Sequence, residues 1–186
     1  MPGGSDLDDA RFDELLSAAR AGAEHAWTQL YHELAPALLG YLHSQRLPDP
    51  EDVLGEVFLQ VVRDLRQFDG DQAKFRSWVF TIAHHRMIDA RRRIQRRPPT
   101  DPTPTEDLDV HLPPAEAEQQ AMDRLTTGEV LALLDDLTGD QREVLVLRLI
   151  GGLTHAEVAE VLGKRLGAVK QLQRRALSAL EGRLPE

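Results

Sequence analysis

Residues 98 to 114 read PPTDPTPTEDLDVHLPP, a run holding six prolines and several acids. Proline fixes φ and has no amide hydrogen to give, so neither a helix nor an inner strand continues through such a run. Its few apolar residues show no periodicity, and the segment reads as a flexible linker. Whatever core the chain has must therefore be built on either side of it. In 186 residues that leaves two units, each long enough for a modest core.

Both flanks carry apolar residues at helical spacing. Aromatic residues make up only 5% of the chain, alanine, leucine, arginine and glutamate are abundant, and long β-branched alternations are missing. An all-α protein is expected, with two small helical domains joined by a flexible linker. On the N-terminal side Phe12, Leu15, Leu16 and Ala19 mark one helix. Ala26, Trp27, Leu30, Tyr31 and Leu34 mark a second, which Pro36 is expected to end, and a third is predicted from Ala37 to about Gln45. Pro50 and two acids open a helix to Leu65 whose apolar stripe is Val53, Leu54, Val57, Phe58, Val61, Val62 and Leu65. Asp52, Glu56 and Asp64 fall on its other side. A further helix begins near Phe75, with Trp78, Val79, Ile82 and Ala83 on its apolar stripe, and runs into HHRMIDARRRIQRR.

The C-terminal flank predicts four short helices, in GEVLALLDDL, GDQREVLVLRLI, LTHAEVAEVLG and GAVKQLQRRALSALEGRL. The last two form the most specific pattern in the chain. Thr154 followed three residues later by Glu157 is a capping box, Val158, Ala159 and Leu162 form an inward face, and Gly163 stands where the chain must turn sharply. Val169, Leu172 and Ala176 pack the following helix back. The C-terminal domain is thus expected to contain a helix-turn-helix whose second helix turns Lys170, Gln171, Arg174 and Arg175 outward. Arginine and lysine meet phosphates or guanine edges, and glutamine pairs with adenine in the major groove.

The six arginines between 86 and 97 support two readings, in a chain of formal net charge −9. They form a solvated helix end that meets the helix dipole, or they gather nucleic-acid phosphate, which would relieve their mutual repulsion. Trp78 shares a stripe with Phe75 and Ile82 and reads as core. The histidines have no ligand company at metal spacing: His84 and His85 are neighbours pointing apart, and no metal or other cofactor is expected. No nucleophile elbow, phosphate loop or metalloprotease motif is present, so the chain is not expected to be an enzyme. Cysteine is absent, which suits a reducing cytoplasm. With no basic-apolar leader pattern and no apolar run near the ~20 residues of a membrane span, an intracellular, soluble protein is expected.

Taken in order, DPEDVLGEVFLQVVRDL, FRSWVFTIAHHRMIDARRR, LTGDQREVLVLRLIGGLTHAEVAEVLG and GAVKQLQRRAL resemble the extracytoplasmic-function (ECF) sigma factors of bacterial RNA polymerase, from about Phe12 to Leu184. The resemblance implies an N-terminal domain over residues 10–97, a Pro-rich acidic linker over 98–123 and a C-terminal helix-turn-helix domain over 124–184. By the same resemblance Asp52, Glu56 and Gln60 would contact core RNA polymerase. Trp78, His85, Arg86, Asp89, Arg92, Arg93, Arg96 and Arg97 would open and read the minus-ten promoter element. Gly167, Lys170, Gln171, Arg174 and Arg175 would read the minus-thirty-five element. Linker acids such as Asp101, Glu106 and Asp107 would imitate RNA charge on the polymerase exit path, and an anti-sigma factor is the expected regulatory partner.

Two positions depart from the family pattern. His85 stands where members commonly carry asparagine, and Ala168 where the recognition helix commonly opens with threonine, so that Gly167 or a backbone contact would have to serve as cap. The competing reading is a free-standing helix-turn-helix regulator, which leaves the arginine-ended helix and acidic linker without a role.

Overall fold

The computed structural model describes residues 9–96 and 134–181. These form seven α-helices and a 3-10 turn, with no strand among the described residues: α1 (Asp9–Arg20), α2 (Glu24–Ser44), α3 (Pro50–Asp64), the turn Leu65–Gln67, α4 (Gln72–Arg96), α5 (Gly139–Leu149), α6 (His155–Leu162) and α7 (Leu166–Glu181). The expected linker, its acids Asp101, Glu106 and Asp107, Arg97 and residues 128–133 of GEVLALLDDL lie outside the described residues.

In the N-terminal half, α1 buries Phe12, Leu15, Leu16 and Ala19, the four residues its spacing singled out. Pro36 does not end α2, which continues through it. The reason is geometric. Leu30, Leu34, Leu38 and Leu42 keep a single buried stripe across the proline, while Pro36 itself lies on the exposed side, where water meets the carbonyl left without its amide partner. Pro50 at the first turn and Glu51 and Asp52 beside it start α3 as expected. Its stripe is narrower than predicted: Val53, Leu54, Val57 and Val61 are buried, but Val62 is 50% exposed.

Phe12, Phe68, Phe75 and Trp78 make one ring cluster, with centroids 5.1 Å apart for Phe68 and Trp78 and 5.5 Å apart for Phe12 and Phe75. Arg20 closes this end by donating to the carbonyls of Leu65 and Phe68. The cluster fixes where α4 begins, and α4 then lies along α3.

In the C-terminal half both α5 and α6 open with complete capping boxes, Thr138 with Gln141 and Thr154 with Glu157. The halves do not stand apart. α2 packs on α5 and α4 on α6, and the buried apolar side chains of both halves join in one cluster. Gly40 permits the approach, since a Cβ there would stand 3.3 Å from Cγ2 of Ile150.

Candidate nucleic-acid interface

Gly163 ends α6 at φ +60°, and its amide and that of Lys164 close onto the last carbonyls of the helix. Lys164 also pairs with Asp140 at 3.1 Å, tying the turn to the start of α5. The chain re-enters helix at Leu166, so Ala168 is the third residue of α7 and Arg165 occupies the position before the helix. The hydroxyl that the family pattern places at Ala168 would therefore stand inside the first turn. Val169 and Ala176 are buried against the rest of the domain, with Leu172 half-buried between them. Gly167, Lys170, Gln171, Arg174 and Arg175 are all exposed, at spacings of three, one, three and one residues, which places them along one side of the helix. An outward helix face with two arginines, a lysine and a glutamine has the reach and donors to read a major groove.

The arginine cluster divides into three parts. Arg86 donates to Oε1 of Gln60, and Arg93 pairs with Oε1 of Glu56 at 2.9 Å, so both hold α4 to α3. Arg91 donates to the carbonyl and side chain of Gln45 at the end of α2. His85, Asp89, Arg92 and Arg96 remain, at steps of four, three and four, and all are exposed. Arg92 reaches Asp89 only at 3.7 Å. Trp78 lies two turns before His85 on the same side; one part of its ring belongs to the aromatic cluster and the rest is open to solvent. Half of the cluster's arginines thus serve the fold, and the stripe from Trp78 to Arg96 is the part left facing solvent.

The residues expected to meet polymerase are likewise divided. Asp52 is exposed. Glu56 and Gln60 each hold an arginine of α4, and Gln60 also donates to Asp64. Asp52, Glu56 and Arg93 border a groove of 340 Å³ floored by Val53 and Ala90. On α2 and α3 lies an apolar patch that the periodicity did not single out as exposed: Leu59 is 58%, Val62 50% and Tyr31 46% exposed, with the Tyr31 ring 4.8 Å from Phe58. Leu59 and Val62, three residues apart, were the available signal; large apolar side chains grouped on a surface mark interaction sites.

A buried polar group joins the two halves. Tyr41 on α2 donates to Oε1 of Glu143 on α5 at 2.7 Å, and Nδ1 of His84 on α4 lies 2.9 Å from the same oxygen and 3.1 Å from the tyrosine hydroxyl. The carboxylate oxygen accepts from both, which requires the proton of His84 on Nδ1. The His84 and Glu143 side chains are only 12% and 11% exposed. Burial first, and the adjacent Glu143 charge second, push the Tyr41 phenol well above its ordinary range. Around this centre Arg46 pairs with Asp135, and Arg76 donates to the carbonyl of Gly151. Of the two neighbours, His84 faces inward to these partners, while His85 is exposed, with its ring centroid 6.0 Å from that of His84.

Comparison with known proteins agrees with this arrangement. Residues 29–97 match the family model for sigma-70 region 2, and residues 133–181 that for sigma-70 region 4. The chain is 31% identical to the ECF RNA polymerase sigma factor BldN of Streptomyces coelicolor, over 98% of this chain and 69% of that protein. It is 33% identical to ShbA, the ECF sigma factor of Streptomyces griseus, over 89% and 91%. Among solved structures, CnrH in complex with the cytosolic domain of CnrY superposes with a TM-score of 0.63 at 28% identity, covering 94% of this chain and 96% of that one. The sigma factor RpoE bound to the anti-sigma factor NepR, from Bartonella quintana, shares the fold with a TM-score of 0.59 at 20% identity, over 83% and 94%. BldN and ShbA are sigma factors, not free-standing regulators. With both sigma regions in order on one chain, all-helical among its described residues, the protein belongs to the extracytoplasmic-function sigma factors, which bind core RNA polymerase and direct promoter-specific transcription initiation.

Proposed function

We propose a division of labour among the surfaces described above. Residues 10–97 form the domain that docks on core polymerase and reads the minus-ten element, 98–123 form the linker, and 124–184 form the domain that reads the minus-thirty-five element. Docking uses Asp52 together with the apolar patch of Tyr31, Leu59 and Val62. The exposed carboxylate supplies charge, and the patch supplies area whose burial is favourable at about 25 cal/mol per Å². Glu56 and Gln60 act in docking through the orientation they give α3 and α4, since each already holds an arginine. Trp78, His85, Asp89, Arg92 and Arg96 face the minus-ten element, with Arg97 following them, while Arg86 and Arg93 set the helix that presents them. Gly167, Lys170, Gln171, Arg174 and Arg175 face the minus-thirty-five element.

The observation that carries this reading is the exposure of two basic stripes, on α4 and α7, in a chain whose net charge is −9. An acidic body is repelled by DNA at long range, and local arginines engage phosphate once a partner holds the two together. The protein acts without catalysing a reaction, in the cytoplasm where polymerase is. Among the described residues no helix is long and apolar enough to cross a membrane. An anti-sigma factor is the expected partner of the inactive protein, by likeness to the RpoE–NepR complex.

Co-purification with core polymerase followed by run-off transcription tests the reading. Lys170→Ala and Arg174→Ala should each weaken use of the upstream element, by ~1 to 3 kcal/mol where the residue reads a base. Unchanged transcription and unchanged salt dependence in both variants would show that the face of α7 is merely solvated. Loss of polymerase binding in a Leu59→Asp, Val62→Asp variant that keeps its helix content is the corresponding expectation for docking.

A further inference from the structure

We propose that Leu166 is a base-reading residue: its side chain takes the C5-methyl group of a thymine in the minus-thirty-five element, and Gly167 beside it lets the first turn of α7 come close enough to the major groove for that contact. The proposal rests on the reading of α7 as the helix that faces this element, and it names what the start of that helix reads.

Leu166 is the first residue of α7. Lys170 and Arg174 follow at steps of four and Leu177 three residues later, so all of them stand along one side of the helix. The two ends of this row are apolar and open, Leu166 at 43% exposure and Leu177 at 40%. Leu172 and Leu180 on the same helix pack against the core instead. A lone leucine on a surface is ordinary. This one stands at the N-terminal end of a recognition helix, the end that meets base edges, in line with two cations suited to guanine edges or phosphate.

Gly167 supplies the second observation. A Cβ added there would meet nothing within 4 Å in the protein, and glycine weakens a helix relative to alanine. Neither internal packing nor helix formation accounts for it. At an exposed helix start, a missing side chain gives room to a body outside the protein. None of the first three side chains of α7, Leu166, Gly167 and Ala168, carries a hydrogen-bond donor or acceptor. The donor and acceptor code of the groove is therefore closed to them, and the base feature an apolar side chain does recognise there is the thymine methyl. Four residues of helix advance ~6 Å and base pairs are ~3.4 Å apart, so the thymine lies within about two base pairs of the one Lys170 meets.

Core polymerase loaded with the full chain is used to select from promoter duplexes randomised over both elements, and the retained duplexes are sequenced. The parent should enrich a thymine at one position of the upstream element, within about two base pairs of the position that Lys170→Ala relaxes. Leu166→Ala should relax the thymine alone. Leu177→Ala, the same change at the far end of the row, should not. In the best duplex, deoxyuridine in place of that thymine removes only the methyl group and should weaken binding about fourfold, the worth of one buried methyl-sized group. The same replacement should cost nothing in Leu166→Ala and about fourfold again in Leu166→Met, which keeps an apolar side chain of similar reach. Gly167→Ala should hold or raise the unfolding midpoint and yet weaken binding to this duplex.

An enriched element without a thymine, a parent indifferent to deoxyuridine, or a methyl dependence that survives Leu166→Ala overturns the contact and leaves α7 standing as the reader. Unchanged binding in Gly167→Ala overturns the close approach. If α7 does not read the element at all, the selection shows no upstream preference that Lys170→Ala or Arg174→Ala relaxes, and the Leu166 contact falls with it.

Discussion

Arg93 on α4 donates to the carboxylate of Glu56 on α3 at 2.9 Å, and two turns away Arg86 donates to Gln60. The helix proposed to meet polymerase and the helix proposed to meet promoter DNA are therefore fastened at two points by residues from both candidate sites. A substitution made to test one surface reaches the other. Arg93 and Glu56 side chains are 56% and 34% exposed, so screening by water keeps the pair weak.

A double-mutant cycle on Glu56→Ala and Arg93→Ala should return a coupling of ~0.2 to 1 kcal/mol in urea unfolding, and the coupling should shrink as salt is raised. In transcription the two single variants should be sub-additive for the same reason. Additive effects in both assays would separate the surfaces and return Glu56 to direct polymerase contact.

Much of this layout was legible in the residues. The capping box at Thr154, the turn at Gly163 and the outward set on α7 depend on local spacing alone, and local spacing is what a sequence displays. Pro36 misled because proline's effect depends on which side of the helix it faces, and the stripe from Leu30 to Leu42 that puts it outward is a tertiary fact. The Tyr41–His84–Glu143 group was invisible for a stronger reason. Tyr41 and Glu143 are 102 residues apart, each sits in an apolar run that accounts for it as part of a helix, and only packing of α2 on α5 brings them together. Likewise nothing in the string of arginines distinguishes Arg86, Arg91 and Arg93, which hold the fold, from Arg92 and Arg96, until the neighbours of α4 are known.

Tyr41 makes stability depend on alkaline pH. Its phenol is raised above the ordinary value of about 10 by burial and then by the Glu143 charge. For a group raised on folding, the stabilising contribution is fully present below the unfolded value and is lost as pH rises through the folded one. Unfolding midpoints should therefore carry no pH dependence from Tyr41 near neutrality, where its contribution is fully present, and should fall above about pH 10, where the unfolded chain gives up a proton that the folded chain retains. Tyr41→Phe should remove that added loss. An identical alkaline slope in parent and variant would show that the phenol ionises without regard to folding.

Thr154 and Gly163 test the helix-turn-helix as a built object. Thr154→Ala removes the acceptor for the Glu157 amide and should cost about 1 kcal/mol, with most of it restored in Thr154→Ser. At Gly163 an added Cβ meets nothing within 4 Å, so any cost of Gly163→Ala is conformational, from φ +60°. It should be about 1 kcal/mol, and Gly163→Asn should lose less, because asparagine tolerates the left-handed region. Equal losses for alanine and asparagine would point to crowding instead of backbone conformation.

Binding to promoter DNA without polymerase is the most exposed expectation. The free protein brings a charge of −9 toward a strongly negative duplex, and salt at 0.15 M limits the reach of each basic stripe to about 8 Å. The stripes act after contact but do not steer the approach. Without a partner to set their spacing on the duplex, each domain contributes only its own weak contact. Core polymerase changes both terms: it holds the chain beside DNA, and it sets the domains at the promoter spacing, so that the second contact becomes intramolecular and gains a high effective concentration. An anisotropy titration at physiological salt should therefore show weak, poorly selective binding by the purified chain and selective binding by the joint complex. Tight, sequence-specific binding by the parent chain alone would mean that α7 reads DNA without polymerase to position it, and would remove the need for the joint complex.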